Sequence, residues 1–494
     1  MKHALIFNVH TINIRRPGGA YRIASFLREH GWDIEVIEWT MHWSQEELHE
    51  LCKSRITNNT VFVGYSCFFS EWNDHVEKLA TWIKKTYPNV KQLTGSQSKP
   101  RMESDAVDYY LTGFGEYAIL ELLKYITGNG PAPNFDPKYF GSKKVITANH
   151  FYPAFPMKRL MIKYEDRDFI EPNDWLTMEF SRGCKFKCLY CNFPVLGVKG
   201  DYTRDADDYY IQMMDAYDRF GVTSYYASDE TFNDRSEKIT KFADVTRKMP
   251  FKPWFSGFIR GDLLVSRKQD WEPLAELGFL GQFYGIESMN HETSKAIGKG
   301  MHPDKLLPGL LEARNYFKTH NRKCYRGVIA LMVGLPYESK ESLQKSFQWL
   351  INNWQGEAIE VWPLEIPIDY KTDVLSTLSV NWEKYGYREI QLENLPKLKN
   401  RFTEVKHGIS NLHWENEYMN FHEARLIADD FRSMAKEKCR FNVNSYGLDN
   451  LIQIGLTIEQ ALEFHSDNEQ SDYLLLKQTM DSRISAYKEK KLSI

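Results

Sequence analysis

The stretch LTMEFSRGCKFKCLYCNFP (residues 176–194) decides the reading of this chain. It opens as an apolar strand, LTMEF, and runs straight into a loop carrying Cys184, Cys188 and Cys191 at C-x3-C-x2-C spacing, with Tyr190 directly before the third cysteine. Three thiolates within eight residues can wrap one face of a cubane iron–sulfur cluster, whose irons are normally held by cysteine. A cubane has four irons, so three ligands leave one iron with a coordination position for another molecule. The alternative is a structural zinc, which usually takes four ligands as two short pairs. No histidine lies in the loop, and distant Cys324 is the candidate fourth ligand for that reading. A zinc-stapled loop would make the chain a non-catalytic binding protein.

Composition narrows the rest. At 494 residues the chain is too long for one ordinary core and implies two or three domains. No apolar run is long enough for a membrane span, and the first residues lack the apolar stretch of a signal peptide. Seven cysteines are too few for a secreted disulfide framework, and an oxygen-sensitive cluster requires a reducing compartment, so the cytoplasm is expected. Lys plus Arg is 63 against 66 for Asp plus Glu, which leaves no global field to draw the protein onto nucleic acid. A local basic patch remains open, so direct nucleic-acid binding is undecided. The KEKK run at residues 488–491 reads as a solvated tail.

Working outward from the cysteine loop, two α/β series appear. The first, residues 1–128, alternates strands (3–9, 33–39, 61–66, 92–95, 107–113) with amphipathic helices and implies a doubly wound parallel sheet. Ligands of such sheets sit beyond the carboxyl ends of the strands, where Ser66, Gly95, Ser96 and Gly113 lie. Residues 129–171, proline-rich at the start, read as a linker. The second series, residues 172–367, places strands at 176–180, 224–230, 253–260, 281–287, 325–336 and 358–367 with helices between most of them. Six such units make a partial β/α barrel, whose active site is built at the carboxyl ends of its strands. Residues 368–494 read as a more polar, mostly helical domain, with amphipathic helices at 423–435 and 457–465.

The spacing and the aromatic before the last cysteine resemble the radical S-adenosylmethionine (radical SAM) superfamily over roughly residues 172–367. The resemblance implies a [4Fe-4S] cluster on Cys184, Cys188 and Cys191, with S-adenosylmethionine chelating the fourth iron. One electron would then split the cosubstrate into methionine and a 5′-deoxyadenosyl radical. It further implies an electron donor such as flavodoxin or ferredoxin, and a small-molecule or nucleotide substrate. Residues are carried over by position. Asp229 and Glu230, in SDE where the family has two glycines and a glutamate, would face the amino group of the cosubstrate. Arg260 would pair with its carboxylate, and Ser256, on the same strand at even spacing, would face the same cavity. Glu287 would meet the ribose hydroxyls, while the backbone at Tyr190 and at Gly334, in VGLPYE, would approach the adenine.

The first domain resembles the cobalamin-binding domain that precedes many of these barrels, in the runs 18–39 and 107–123. Where that family has an acidic Gly-Glu-Gly-Glu-like turn this chain has the degenerate Gly113-Phe114-Gly115-Glu116, and of the axial-histidine motif it keeps only His10. The resemblance therefore implies cobalamin as a candidate cofactor, at Ser66, Gly95, Ser96, Gly113 and Glu116, with His10 an ordinary loop histidine. Cobalamin would make the reaction methyl transfer to an unactivated carbon. Without it, hydrogen abstraction followed by rearrangement, or action on a nucleotide or nucleic-acid base, is the alternative. Tyr225, Tyr226, Trp254, Phe283 and Trp362 near strand ends are either core residues or a stacking surface for a planar substrate.

Overall fold

The computed structural model describes residues 2–10, 16–67, 72–96, 103–136, 144–151, 157, 159–191, 202–320, 325–355, 357–368, 376–390, 411–439 and 469–494. Two parallel sheets form the body. The first contains β1 (Lys2–Val9), β2 (Trp32–Ile37), β3 (Thr60–Cys67), β4 (Lys91–Ser96), β5 (Tyr109–Thr112) and β6 (Val145–Thr147) in the order β2-β1-β3-β4-β5-β6. Its strands read as apolar runs because both faces are covered. Ala4 and Ile6 of β1 enter one core, while Leu5, Phe7 and Val9 enter the other. Helix Gly18–Glu29 covers the first face, with Ala20, Ala24 and Leu27 buried, and helices Gln45–Arg55 and Asp74–Thr86 cover the second. Helix Gln45–Arg55, absent from the expected series, is started by a reciprocal cap between Ser44 and Glu47. The chain steps from β1 to β2 on one side and to β3 on the other, so a crevice lies beyond the carboxyl ends of β1 and β3.

The presumed linker needs correction. Residues 145–147 within it form β6, which pairs in parallel with β5, and Asn149 beyond it accepts the Phe114 amide at 2.8 Å. A strand of only three residues carries too little periodicity to be read from sequence.

The second sheet follows chain order: β7 (Trp175–Met178), β10 (Ser224–Ala227), β11 (Trp254–Ile259), β12 (Phe279–Glu287), β13 (Arg326–Val333) and β14 (Ala358–Pro363), every neighbour parallel. Between β7 and β10 the chain makes a short antiparallel pair, β8 (Ser181–Arg182) with β9 (Tyr202–Thr203), and this pair brackets the cysteine loop. Strand alternation sorts the barrel's faces. Tyr225, Phe255, Ile259, Tyr284, Leu331 and Val361 are buried in the core under the helices. Thr177, Tyr226 and Ser256 stand abreast on the inner face, as do Phe258 with Phe283, Ala330 with Glu360, and Met332 with Trp362. The first domain closes onto this inner face. A Cβ on Gly18 would lie 2.8 Å from the Thr177 side chain, and the Thr177 hydroxyl donates to the Arg16 carbonyl at 3.1 Å.

In the third region, β15 (Arg388–Glu389) pairs antiparallel with β16 (Trp414–Glu415), and helix Phe421–Cys439 packs on the barrel through Ala424, Ala428 and Phe431. The expected helix at 457–465 lies outside the described residues. The KEKK run is no solvated tail: it ends a helix, Glu469–Ser493, that lies across the first domain. Lys491 is fully buried, with its ammonium 2.9 Å from Glu35, and Lys488 pairs with Glu47 at 2.6 Å. The Tyr487 hydroxyl accepts the Glu38 amide at 3.0 Å, and its ring meets Trp39 edge-on. The partners lie more than 400 residues away along the chain, beyond the reach of any local sequence pattern.

Tyr487→Ala removes a buried aromatic contact and is expected to cost ~3–5 kcal/mol. Tyr487→Phe loses a single hydrogen bond, worth about 1 kcal/mol. Thermal melts should rank wild type, Phe, Ala; coincident melts would show that the helix is not docked in this way.

Candidate active site

The cysteine loop has little regular structure of its own, so its shape is imposed by neighbours. Just before it, Asp229 at the end of β10 accepts the Phe180 amide at 2.9 Å and the Ser181 hydroxyl. Lys238, fully buried, reaches Ser181 at 3.1 Å and Asp234 at 2.6 Å. Gly183, with φ of +85°, turns the chain into the loop, a conformation that favours glycine. Beyond it, the Leu189 amide donates to the Ile297 carbonyl at 3.1 Å, and the Leu189 carbonyl accepts the Leu378 amide at 3.0 Å. Gly298 closes against Lys187 and Cys188, where its missing Cβ would lie within 3.7 Å.

The three thiols are all half-buried and form no disulfide. Cys184 Sγ lies 3.7 Å from the Thr231 hydroxyl, and Cys188 Sγ accepts Arg260 Nη1 at 3.5 Å. Burial pushes the Cys184 thiol up. Among the described residues no three His, Cys, Asp or Glu side chains gather about one point as a mononuclear metal requires. A cubane, with its irons on separate corners, asks for no such gathering, and its sulfurs are tuned by N–H and O–H donors of the kind found here. The donor set therefore fits the cluster. Cys324, weighed as a zinc ligand, lies outside the described residues.

The acidic pair divides its labour. Asp229 is buried, bound to the loop's entry and pushed up to about 6 by burial, so it fixes backbone; it neither faces the mouth nor caps the following helix. Glu230 is half-buried, its carboxylate turned back on its own amide. Burial, with Asp229 and Glu179 nearby, pushes its carboxyl up to about 7, a condition that a cationic partner would relieve.

Arg260 also differs from expectation. Its guanidinium holds Asp262 with two nitrogens, the Gly298 carbonyl at 2.8 Å and Cys188 Sγ, and it stacks 4.0 Å above Phe186. Four of its five N–H groups are thus spent on Asp262, Gly298 and Cys188, which makes it a clamp on the loop rather than a receptor for a ligand's carboxylate. Tyr190 and Glu287 are brought together: the Tyr190 hydroxyl donates to Glu287 at 2.8 Å, with the Lys299 ammonium 3.7 Å from the same oxygen. Glu287 has φ of +66° at a bulge between β12 and β13, and Gly285 leaves room for its carboxylate. A non-glycine residue held in this region points to a site that needs that side chain there. Ser256 is buried on the inner face, and among the described residues its hydroxyl has no partner. The space that glycine provides at Gly334 is taken by Trp414, 2.3 Å from where a Cβ would stand, and Tyr387 donates to its carbonyl at 2.7 Å. Packing, not a ligand, accounts for that glycine.

In the first domain Ser66 and Gly95 stand at the carboxyl ends of β3 and β4 beside the crevice, and nothing lies within 4 Å of where a Gly95 Cβ would be. Ser96 ends β4. Gly113 turns the chain at φ of +85° against Asn149, and Glu116 is committed to Arg182 in a buried ion pair instead of facing the crevice. His10 pairs with buried Glu38 at 3.3 Å. Of the five aromatics, Tyr225 is core, Tyr226 and Phe283 lie half-buried on the inner face, Trp254 is half-buried at the start of β11, and Trp362 is exposed on the edge strand.

A scan against family models matches residues 178–350 to the radical SAM superfamily. The chain carries a radical SAM domain. It starts at the end of β7, includes all three cysteines and ends in helix Lys340–Asn353. A hopanoid C-3 methylase of Methylococcus capsulatus is 21% identical over 322 residues, covering 60% of this chain and 58% of the methylase. A solved radical S-adenosylmethionine methyltransferase, TsrM from Kitasatospora setae, with cobalamin and a [4Fe-4S] cluster bound, superposes with a TM-score of 0.64 at 12% identity, over 98% of this chain and 99% of that one. The cobalamin-dependent enzyme OxsB superposes at 0.55 and 17% identity, over 78% of this chain and 56% of that one. The chain thus spans somewhat over half the length of the methylase and of OxsB. At these identities the structural likenesses show the fold: a doubly wound sheet, a partial barrel and a mostly helical C-terminal region. No helix among the described residues is long and apolar enough to cross a membrane.

The positions overlooked in the sequence are Thr231, Lys238 and Lys299; Glu338, at the end of VGLPYE, is a polar residue beyond a strand end without an assigned role. Lys238 stands four residues after Asp234, a pairing distance on a helix, and was the one with a local signal. Glu338 is buried and accepts the Ser288 hydroxyl at 2.6 Å, and its second oxygen has no partner among the described residues. Burial pushes its carboxyl up to about 8. The folded chain therefore keeps a proton there that the unfolded chain sheds above roughly pH 4.3. Its contribution to stability is complete below that point and is lost as pH rises towards 8. Glu338→Gln should remove this loss, so the variant is expected to melt several degrees above wild type at about pH 8 and much closer to it at about pH 5. Parallel melting curves across that range would contradict the assignment.

Proposed function

We propose that the chain is a cobalamin-dependent radical SAM enzyme that transfers a methyl group to an unactivated carbon. The observation that carries this reading is the mouth of the cysteine loop, where Glu230 and the Tyr190–Glu287 pair stand on the barrel rim with the first domain closed over the inner face. The fold shared with two cobalamin-dependent enzymes supports it. Bound there, a [4Fe-4S] cluster on Cys184, Cys188 and Cys191 with S-adenosylmethionine would supply one-electron cleavage of a sulfonium, and cobalamin would supply the methyl carrier.

The protein's own residues do the rest. Glu230 receives the cosubstrate's ammonium and gives up its proton in doing so, because a nearby cation favours the ionised carboxylate. Glu287, steadied by Tyr190 and Lys299, accepts from the ribose hydroxyls. Ser256 turns its unpartnered hydroxyl to the inner face. Ser66, Gly95 and Ser96 border the crevice that takes cobalamin, and the docked sheet keeps water from the inner face. A small-molecule substrate and an electron donor such as flavodoxin or ferredoxin complete the reaction, in the cytoplasm.

Anaerobic reconstitution with iron, sulfide and hydroxocobalamin should give a brown protein with about four irons per chain and a corrin spectrum. Replacing any one of Cys184, Cys188 or Cys191 by Ala should abolish reductive cleavage of S-adenosylmethionine. Glu230→Gln removes a charged contact worth about 1.5–3 kcal/mol, so cosubstrate affinity should fall roughly 10- to 100-fold. A protein that holds one zinc and no iron would overturn the reading.

A further inference from the structure

Glu116 opens the helix Glu116–Ile126, directly beyond the turn that follows β5, and is 2% exposed. Both of its oxygens bind Arg182, through Nη1 at 3.2 Å and through Nη2. Arg182 sits on β8, two residues before Cys184, and its Nε donates to Glu179 at 2.7 Å. The same guanidinium lies 4.2 Å from the Phe114 ring, in the turn whose backbone amide is held by Asn149. Glu179 in turn receives Arg22 of the first domain at 2.8 Å. One buried arginine is thus shared between the turn after β5, whose Gly113 amide donates to the Ser96 carbonyl of β4 at 2.9 Å, and the strand that enters the cysteine loop. Two residues of extended chain span at most ~7 Å, too short a lever to absorb a displacement of Arg182 without moving Cys184.

We propose that the Glu116–Arg182 pair couples occupancy of the N-terminal crevice to the geometry of the cysteine loop, so that the two ligands bind cooperatively. Both are positioning residues; neither touches a reacting atom. The inference rests on the cobalamin reading given above. A ligand that shifts the turn 113–116 shifts the guanidinium, and the first cysteine follows. Coupling of this kind is reciprocal: whatever factor the crevice ligand imposes on cosubstrate affinity, the cosubstrate must impose on the crevice ligand. Loss of a pair that served stability alone would lower the melting point and leave both factors at their wild-type value.

The test uses the full reconstituted chain, with S-adenosylmethionine affinity measured at zero and at saturating hydroxocobalamin, and hydroxocobalamin affinity measured with and without S-adenosylmethionine. Wild type should show the same factor in both directions, about fivefold or more. Glu116→Gln, which keeps the shape and one acceptor, should bind each ligand alone as wild type does while the factor falls towards one. Arg182→Lys keeps the charge but not the fork and should give an intermediate factor, so the inference stays testable if the Gln variant folds poorly. A wild-type factor of one, with both ligands bound, overturns the link and leaves the proposed function intact, as does a Gln variant with the wild-type factor. Failure of wild type to bind hydroxocobalamin overturns both.

Discussion

A loop of nine residues, 183–191, that carries three thiols cannot hold a shape by itself, and the rest of the site depends on how that shape is imposed. The protein supplies anchors from every side. Asp229 fixes the backbone that enters the loop, Arg260 clamps Cys188 and Phe186, and Ile297 and Leu378 bind Leu189. Arg182 ties the entry strand to the first domain. Buried charges are tolerable here because each is paired: removing one partner would leave an uncompensated ion at a cost of several kcal/mol. The arrangement holds sulfur positions steady while leaving the mouth to a ligand.

The same economy explains the acidic pair at the end of β10. Both residues lie just beyond β10: Asp229 is buried and accepts the Phe180 amide and the Ser181 hydroxyl, whereas Glu230 is half-buried. Both are raised by burial, but only Asp229 is surrounded by donors.

The two α/β series, the strand ends and the cysteine spacing were legible in the sequence because they are local patterns: periodicity, glycine at turns, thiols a few residues apart. What was not legible depends on distant partners. Arg260 was read as a carboxylate receptor because its own strand cannot show that Asp262 and Gly298 will occupy it. Gly334 was read as an approach for adenine, whereas Trp414, 80 residues on, needs the space. Glu116 answers Arg182, and the lysines at 488–491 answer the first domain. Each is a tertiary choice that residue type alone leaves undecided. The placement of Ser256 on the inner face and the pairing of Tyr190 with Glu287 follow from strand register and from a bulge, which sequence constrains only in part.

An iron with a vacant coordination position is the claim from which the chemistry follows, and electron paramagnetic resonance addresses it directly. The reconstituted chain is reduced under anaerobic conditions, and its cluster signal is recorded as S-adenosylmethionine is added. Direct ligation of the fourth iron requires the signal to change shape and saturate with the cosubstrate. A fully formed cluster whose signal stays the same at saturating S-adenosylmethionine would contradict it.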